Sequence, residues 1–85
     1  MYEVYILKSI NFQRHYIGYT GNLDKRLRSH NAGKVRSTKA YRQWQLIYKE
    51  FMTDKTSARK REIEIKSYKS GEAFKKLIRL PFIKK

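Results

Sequence analysis

Cysteine is missing from this sequence and acidic residues are few. Without cysteine there is neither a disulfide framework nor a thiolate zinc site, so packing alone must hold the fold. No apolar run approaches the roughly 20 residues needed to span a bilayer. The first ten residues, MYEVYILKSI, include an acid at Glu3 and lack the basic start and small-residue cleavage site of a secretory signal. The expected location is therefore cytoplasmic, with no membrane partner. The seven acidic residues stand against 21 lysines and arginines, a net charge of +14. Such a field repels itself in the compact state and favours a polyanionic partner. Nucleic acid fits best, because each neutralised phosphate releases condensed counterions. An anionic membrane surface or a structural place in an RNA assembly would also answer the charge.

What is present is enough for one small fold. The chain has 85 residues, of which 40% are hydrophobic and 14% aromatic, so it has the makings of a single thin core. Seven tyrosines, four phenylalanines and Trp44 supply large buried area per residue. Residues 2–8 alternate and are rich in β-formers, predicting a strand, and residues 15–19 predict a second. Gly18 inside that second strand marks a bulge or a close backbone approach. The Thr20-Gly21-Asn22 turn precedes a helix through LDKRLRSHN, stopped by Asn31-Ala32-Gly33. Residues 33–43 form a basic loop without a clear period, and residues 44–52 predict a third strand. Asp54 or Thr56 caps a helix expected over residues 58–69, Gly71 interrupts it, and a short helix follows over residues 72–79 until Pro81. The fold class is α/β in the α+β sense: a small three-stranded antiparallel or mixed sheet flanked by helices, in the order ββαβα(α). A single domain is expected over residues 1–80, with a short basic tail over 81–85.

Several residues could carry chemistry. Tyr5 and Tyr16 lie on neighbouring strands, where a hairpin would bring their phenols to one face. A phenol ionises near pH 10, so a nearby cation would make it a usable proton acceptor. Tyrosines in strands are equally ordinary packing residues. Arg26 and His30 fall four apart, on one face of the first helix. They could clamp a phosphate and tune a proton transfer, or form a solvated basic face with a histidine at the helix C-terminus. Glu62 falls beside the apolar stripe of the second long helix, where a lone carboxylate wants a partner. That partner could be a hard divalent cation, or a salt bridge to Arg61, Lys66 or Arg26. Lys34, Arg36, Lys39 and Arg42, interleaved with Ser37, Thr38 and Tyr41, read as a phosphate-backbone contact surface, with Lys66 a further contact.

Taken together, the order and spacing of these residues resemble the GIY-YIG nuclease family. Glu3-Val4-Tyr5 occupies its first motif and Tyr16-Ile17-Gly18 matches its second. Arg26 and His30 meet the pattern on the following helix, and Arg61-Glu62 meets that of the later one. The sequence is also similar to the small stand-alone bacterial members, related to the nuclease domain of the excision-repair endonuclease subunit. Val-Tyr-Ile-Leu, Tyr-Ile-Gly-Tyr-Thr and His-Asn-Ala-Gly recur in that group as they stand here.

The resemblance implies a metal-dependent DNA endonuclease that hydrolyses phosphodiesters through an activated water, acting on branched or damaged DNA in repair or recombination. Tyr5 or Tyr16 would be the base or a proton relay, His30 its assistant, Arg26 the phosphate clamp and Glu62 the ligand of one Mg2+ or Mn2+. DNA would be the partner and the nucleoid the place of work. Specificity would come from substrate shape, a homodimer or a protein partner. The alternative is a catalytically weak nucleic-acid-binding module of the same fold. Two departures stand out: the small first residue of the first motif is Glu3, and the family's C-terminal Asn gives way to the region of Lys75 and Lys76.

Overall fold

The computed structural model describes residues 1–69 and 71–79. Three strands, β1 (Tyr2–Ser9), β2 (His15–Thr20) and β3 (Trp44–Met52), and three helices, α1 (Leu23–Asn31), α2 (Lys55–Lys66) and α3 (Glu72–Arg79), follow in the order ββαβαα. The sheet order is β2-β1-β3 and both pairings are antiparallel, one of the two arrangements the sequence leaves open. The expected tail over 81–85 and the Pro81 stop lie outside the described residues.

Strand β1 runs through the middle, and Val4, Tyr5, Ile6 and Leu7 are all fully buried. Alternation sends them to two different cores. Val4 and Ile6 join Tyr48, Ala58, Ile65 and Phe74 under α2 and α3. Tyr5 and Leu7 join Leu23 and Trp44 under α1. Strand β3 serves both cores through a bulge: Ile6 faces Tyr48 but Leu7 faces Leu46, so Ile47 is an extra residue. That extra residue exchanges the faces of the strand. Trp44 and Leu46 turn to the α1 side, while Tyr48 and Glu50 turn to the α2 side.

The helices start where their caps are. The Asn22 side chain accepts from the Lys25 backbone N–H at 3.1 Å and opens α1. Asp54 accepts from the Ser57 N–H at 2.7 Å, so α2 begins at Lys55, three residues earlier than its sequence pattern suggested. It ends at Lys66 rather than continuing to residue 69. Gly33, at φ +80°, takes the left-handed turn after α1 that side chains disfavour.

Helix α2 is fastened to β3 by one charged cluster. Arg61 donates from Nε to Glu50 Oε1 at 2.8 Å and from Nη2 to Oε2 at 2.8 Å, while the Tyr48 hydroxyl donates to Oε2 at 2.6 Å. Burial alone would push the Glu50 carboxyl up, but hydrogen bonds from Arg61 and Tyr48 pull it below the usual carboxylate range. Arg61 also reaches Glu64 at 3.0 Å. The arginine next to Glu62 is thus occupied in holding the helix.

Arg61→Met should cost about 2–4 kcal/mol, measured by urea unfolding, because Glu50 is left half-buried without its partner. The paired variant Glu50→Leu/Arg61→Met should recover most of that loss. A single variant as stable as the parent would show that the clamp does not anchor α2.

Candidate active site

The hairpin register explains how the two phenols meet. Tyr5 faces Gly18 and Leu7 faces Tyr16, so Tyr5 and Tyr16 stand diagonally on the α1 face, with ring centroids 6.2 Å apart. Gly18 lies between them. A methyl group there would come 2.8 Å from the Tyr5 hydroxyl and 2.9 Å from the Tyr16 ring. The close-approach reading of Gly18 is the one realised. The break in ladder register falls in β3 instead.

From α1, His30 comes down onto the phenols. It is fully buried, its Nε2 lies 3.0 Å from the Tyr5 hydroxyl, and its Nδ1 lies 2.8 Å from Thr38 Oγ1. Burial, then the charge of Arg26, lowers its pKa to about 4, so the imidazole is neutral at physiological pH. Thr38 Oγ1 donates onward to the Val35 carbonyl at 3.4 Å, which leaves that oxygen to accept the Nδ1–H. Nε2 then accepts from the Tyr5 hydroxyl. The result is one directed chain, Tyr5 to His30 to Thr38 to Val35.

Arg26, one turn before His30, lies against both phenols. The Tyr5 hydroxyl, and to a smaller degree Tyr16, raise its pKa above the usual guanidinium value. Burial pushes the Tyr5 phenol up to about 12, against the pull of Arg26. Tyr5 has no exposed surface, whereas Tyr16 is half-buried. The two phenols are therefore unlike: one enclosed and hydrogen-bonded, one open to solvent.

Glu62 stands on α2, and its charge adds the smallest of the upward pushes on the Tyr5 phenol. Its side chain is 14% exposed and pairs with Lys66 at 2.9 Å, one of the salt-bridge partners its position had allowed. Glu64 instead pairs with Arg61 and is largely exposed. No group of three or more His, Cys, Asp or Glu stands together among the described residues. A single carboxylate fits a hard ion such as Mg2+ or Mn2+, which takes one or two carboxylates and completes its shell with phosphate and water. Glu3, the unusual acid of the first motif, shares the face of Tyr5 by alternation but is paired with Lys49 at 3.6 Å.

The basic loop is more ordered than its sequence suggested. It contains a short 3-10 turn over Lys39–Tyr41, and Thr38, expected on a phosphate-contact surface, is buried against His30. Thr38 is the site residue that sequence reasoning missed, because a threonine in a lysine-rich loop carries no pattern. Tyr41, also expected there, packs on the Leu7 and Trp44 core beneath the Arg14 guanidinium. Arg42 folds over Gly33. Lys34, Arg36, Lys39 and Arg42 are all exposed, and Lys66 is paired with Glu62. Asn31 bonds the Trp44 backbone twice, accepting its N–H at 2.6 Å and donating to its carbonyl at 3.1 Å. It therefore pins α1 to β3.

This fold, with two tyrosines on paired strands, Arg and His on the next helix and a Glu on a later one, matches the model of the GIY-YIG catalytic domain over residues 1–75. The chain belongs to that family of nuclease-like domains. Within it, the chain is similar to the UPF0213 proteins of two staphylococci. The one from Staphylococcus haemolyticus is 41% identical over 61 residues, 71% of this chain and 74% of the relative. The one from Staphylococcus epidermidis is 41% identical over 73 residues, 85% of this chain and 88% of the relative. The solution structure of a UPF0213 protein from Bacillus halodurans is also similar. It is 29% identical with a TM-score of 0.58, over 93% of this chain and 83% of that one. No helix among the described residues is long and apolar enough to cross a membrane.

The buried imidazole makes stability depend on pH. Its folded pKa, about 4, lies below the unfolded value of 6.5, so the unfolded chain binds the proton more readily. Stability should be complete above pH 6.5 and fall as the pH drops toward 4. By linkage the loss at pH 5 is on the order of 2 kcal/mol. Urea midpoints at pH 7.5 and pH 5 measure it, and His30→Gln should remove most of the difference. An imidazole titrating near 6.5 by NMR in the folded protein would refute the buried neutral state.

Proposed function

We propose that this protein is a divalent-metal-dependent DNA endonuclease. The observation that supports this best is the convergence on one site of Tyr5, Tyr16, Arg26 and His30, with the Glu62 carboxylate in electrostatic reach. A phosphodiester held there would meet the Arg26 guanidinium, which favours the extra negative charge that develops as water attacks phosphorus. Tyr16, the phenol with solvent access, takes the proton from that water while its own proton leaves to solvent. The new P–O bond forms on the water oxygen, the ester P–O bond breaks, and the departing oxygen leaves as the alcohol after protonation.

Tyr5 and His30 do a different task in this reading. Their hydrogen-bonded chain, anchored at Thr38, fixes the face against which Arg26 rests. A magnesium or manganese ion, held by Glu62 with phosphate and water, would stabilise charge on the leaving oxygen. Lys66 pairs with Glu62 Oε2, which leaves Oε1 for the ion, and the lysine would stand beside the same phosphate. Lys34, Arg36 and Lys39 would bind the backbone of the same DNA, whose branched or damaged form would set the choice of substrate.

The Lys66–Glu62 pair also favours a second reading. A carboxylate already neutralised by lysine suits a module that binds nucleic acid and does not turn it over. One experiment separates the two. Purified protein is incubated with nicked, flapped and four-way DNA in magnesium or manganese, with EDTA as control. Glu62→Gln should lower cleavage on the order of a thousandfold while changing DNA affinity little. Tyr16→Phe should lose about 10²-fold or more, and more than Tyr5→Phe. Cleavage by Glu62→Gln at the parental rate would sink the endonuclease assignment. A larger loss for Tyr5→Phe than for Tyr16→Phe would move the base to the buried phenol.

A further inference from the structure

On the other side of the sheet edge, the end of β2 and the first two turns of α2 enclose a cleft of about 450 Å³. Its lining is Tyr19, Lys55, Thr56, Arg59, Lys60 and Ile63. The helical members recur at i, i+1, i+4, i+5 and i+8, so they form one continuous face of α2. No acidic residue lines this cleft. Lys55, Arg59 and Lys60 make no salt bridge among the described residues. Ile63 is 56% exposed, a large apolar side chain set out among cations. The Tyr19 ring is braced from behind by Tyr2, their centroids 6.4 Å apart.

Cations around an apolar and aromatic floor are the chemistry of an unpaired nucleic-acid strand. Phosphates take the charges, and an exposed base takes the floor. A duplex offers the phosphates but keeps its bases stacked inside, so it would leave Ile63 and Tyr19 unused. The lining of the cleft adjoins the proposed catalytic carboxylate along α2, and Glu62 itself stands outside it. Arg59 precedes Glu62 by one helical turn and Ile63 follows it immediately.

We propose that this cleft binds a single-stranded DNA segment beside the scissile bond, making DNA with an unpaired arm the preferred substrate class. The substrate part of this inference rests on the endonuclease reading, while the binding part does not.

The test therefore measures binding by the whole chain in EDTA, where no cleavage occurs. Fluorescence anisotropy is recorded with a labelled 12-nucleotide oligo-dT and with a blunt 12-base-pair duplex, across a salt series. Arg59→Gln/Lys60→Gln should weaken oligo-dT binding about tenfold and change duplex binding less than about twofold. Losing two phosphate contacts should make the log–log salt slope for oligo-dT shallower by about 1.4. Ile63→Gln, on an exposed position, should weaken oligo-dT binding about threefold with the slope unchanged, because it removes apolar contact surface and no charge. Equal weakening of both ligands by Arg59→Gln/Lys60→Gln would overturn the proposal. So would a Lys34→Gln/Lys39→Gln variant that loses oligo-dT selectively. A protein that holds oligo-dT in this way yet cuts no DNA would overturn the endonuclease reading alone and leave the cleft in place.

Discussion

Everything in this small protein is arranged around a central strand buried on both faces. Val4 through Leu7 have no exposed surface, so each residue belongs wholly to one core or the other. The even-numbered residues are purely apolar and hold α2 and α3. The odd-numbered ones include Tyr5, whose hydroxyl would be an unpaired polar group in that core if His30 did not accept from it. The buried hydrogen-bond chain is thus demanded by the packing. Under the proposed function the same residues would also organise the phosphate site, so that in a thin fold one side chain would serve stability and chemistry together.

The few acids show the same economy. Glu3, Glu50, Glu62 and Glu64 are each in an ion pair. Asp54 caps α2, and Asp24 and Glu72 lie in the first turns of α1 and α3, where the helix dipole favours them. The excess positive charge is therefore left on the surface with little to offset it. Lys34, Arg36 and Lys39 present it on one side, and Lys55, Arg59 and Lys60 on another.

Much of this was legible in the sequence. The strands were readable because Val, Ile, Tyr and Leu alternate or cluster between turn residues, and α1 because Asn22 and Gly33 bracket it. The phenols, Arg26, His30 and Glu62 were readable because their motifs are short and keep their order. What was not legible depends on contacts between distant segments. The bulge at Ile47 leaves no mark, because Leu46, Ile47 and Tyr48 form an unbroken apolar run. The start of α2 was misjudged because Asp54 and Thr56 look alike as caps, and only the hydrogen bond to Ser57 separates them. Thr38 reads as a surface residue until His30 closes over it, and nothing in the sequence tells that the Arg42 side chain lies over Gly33. The arginine beside Glu62 likewise turns out to be tied to β3 by a residue eleven positions earlier.

The extra residue in β3 has a further consequence. It works like a frameshift within the strand: before it the even-numbered side chains belong to one core, and after it to the other. Substitutions along β3 would be absorbed locally, as loosened or tightened packing. Deleting one residue there would instead send Trp44 and Leu46 toward α2 and strip the floor from beneath α1. The length of this strand is therefore held more strictly than its composition. Homologous chains should vary in the letters of β3 before they vary in the count.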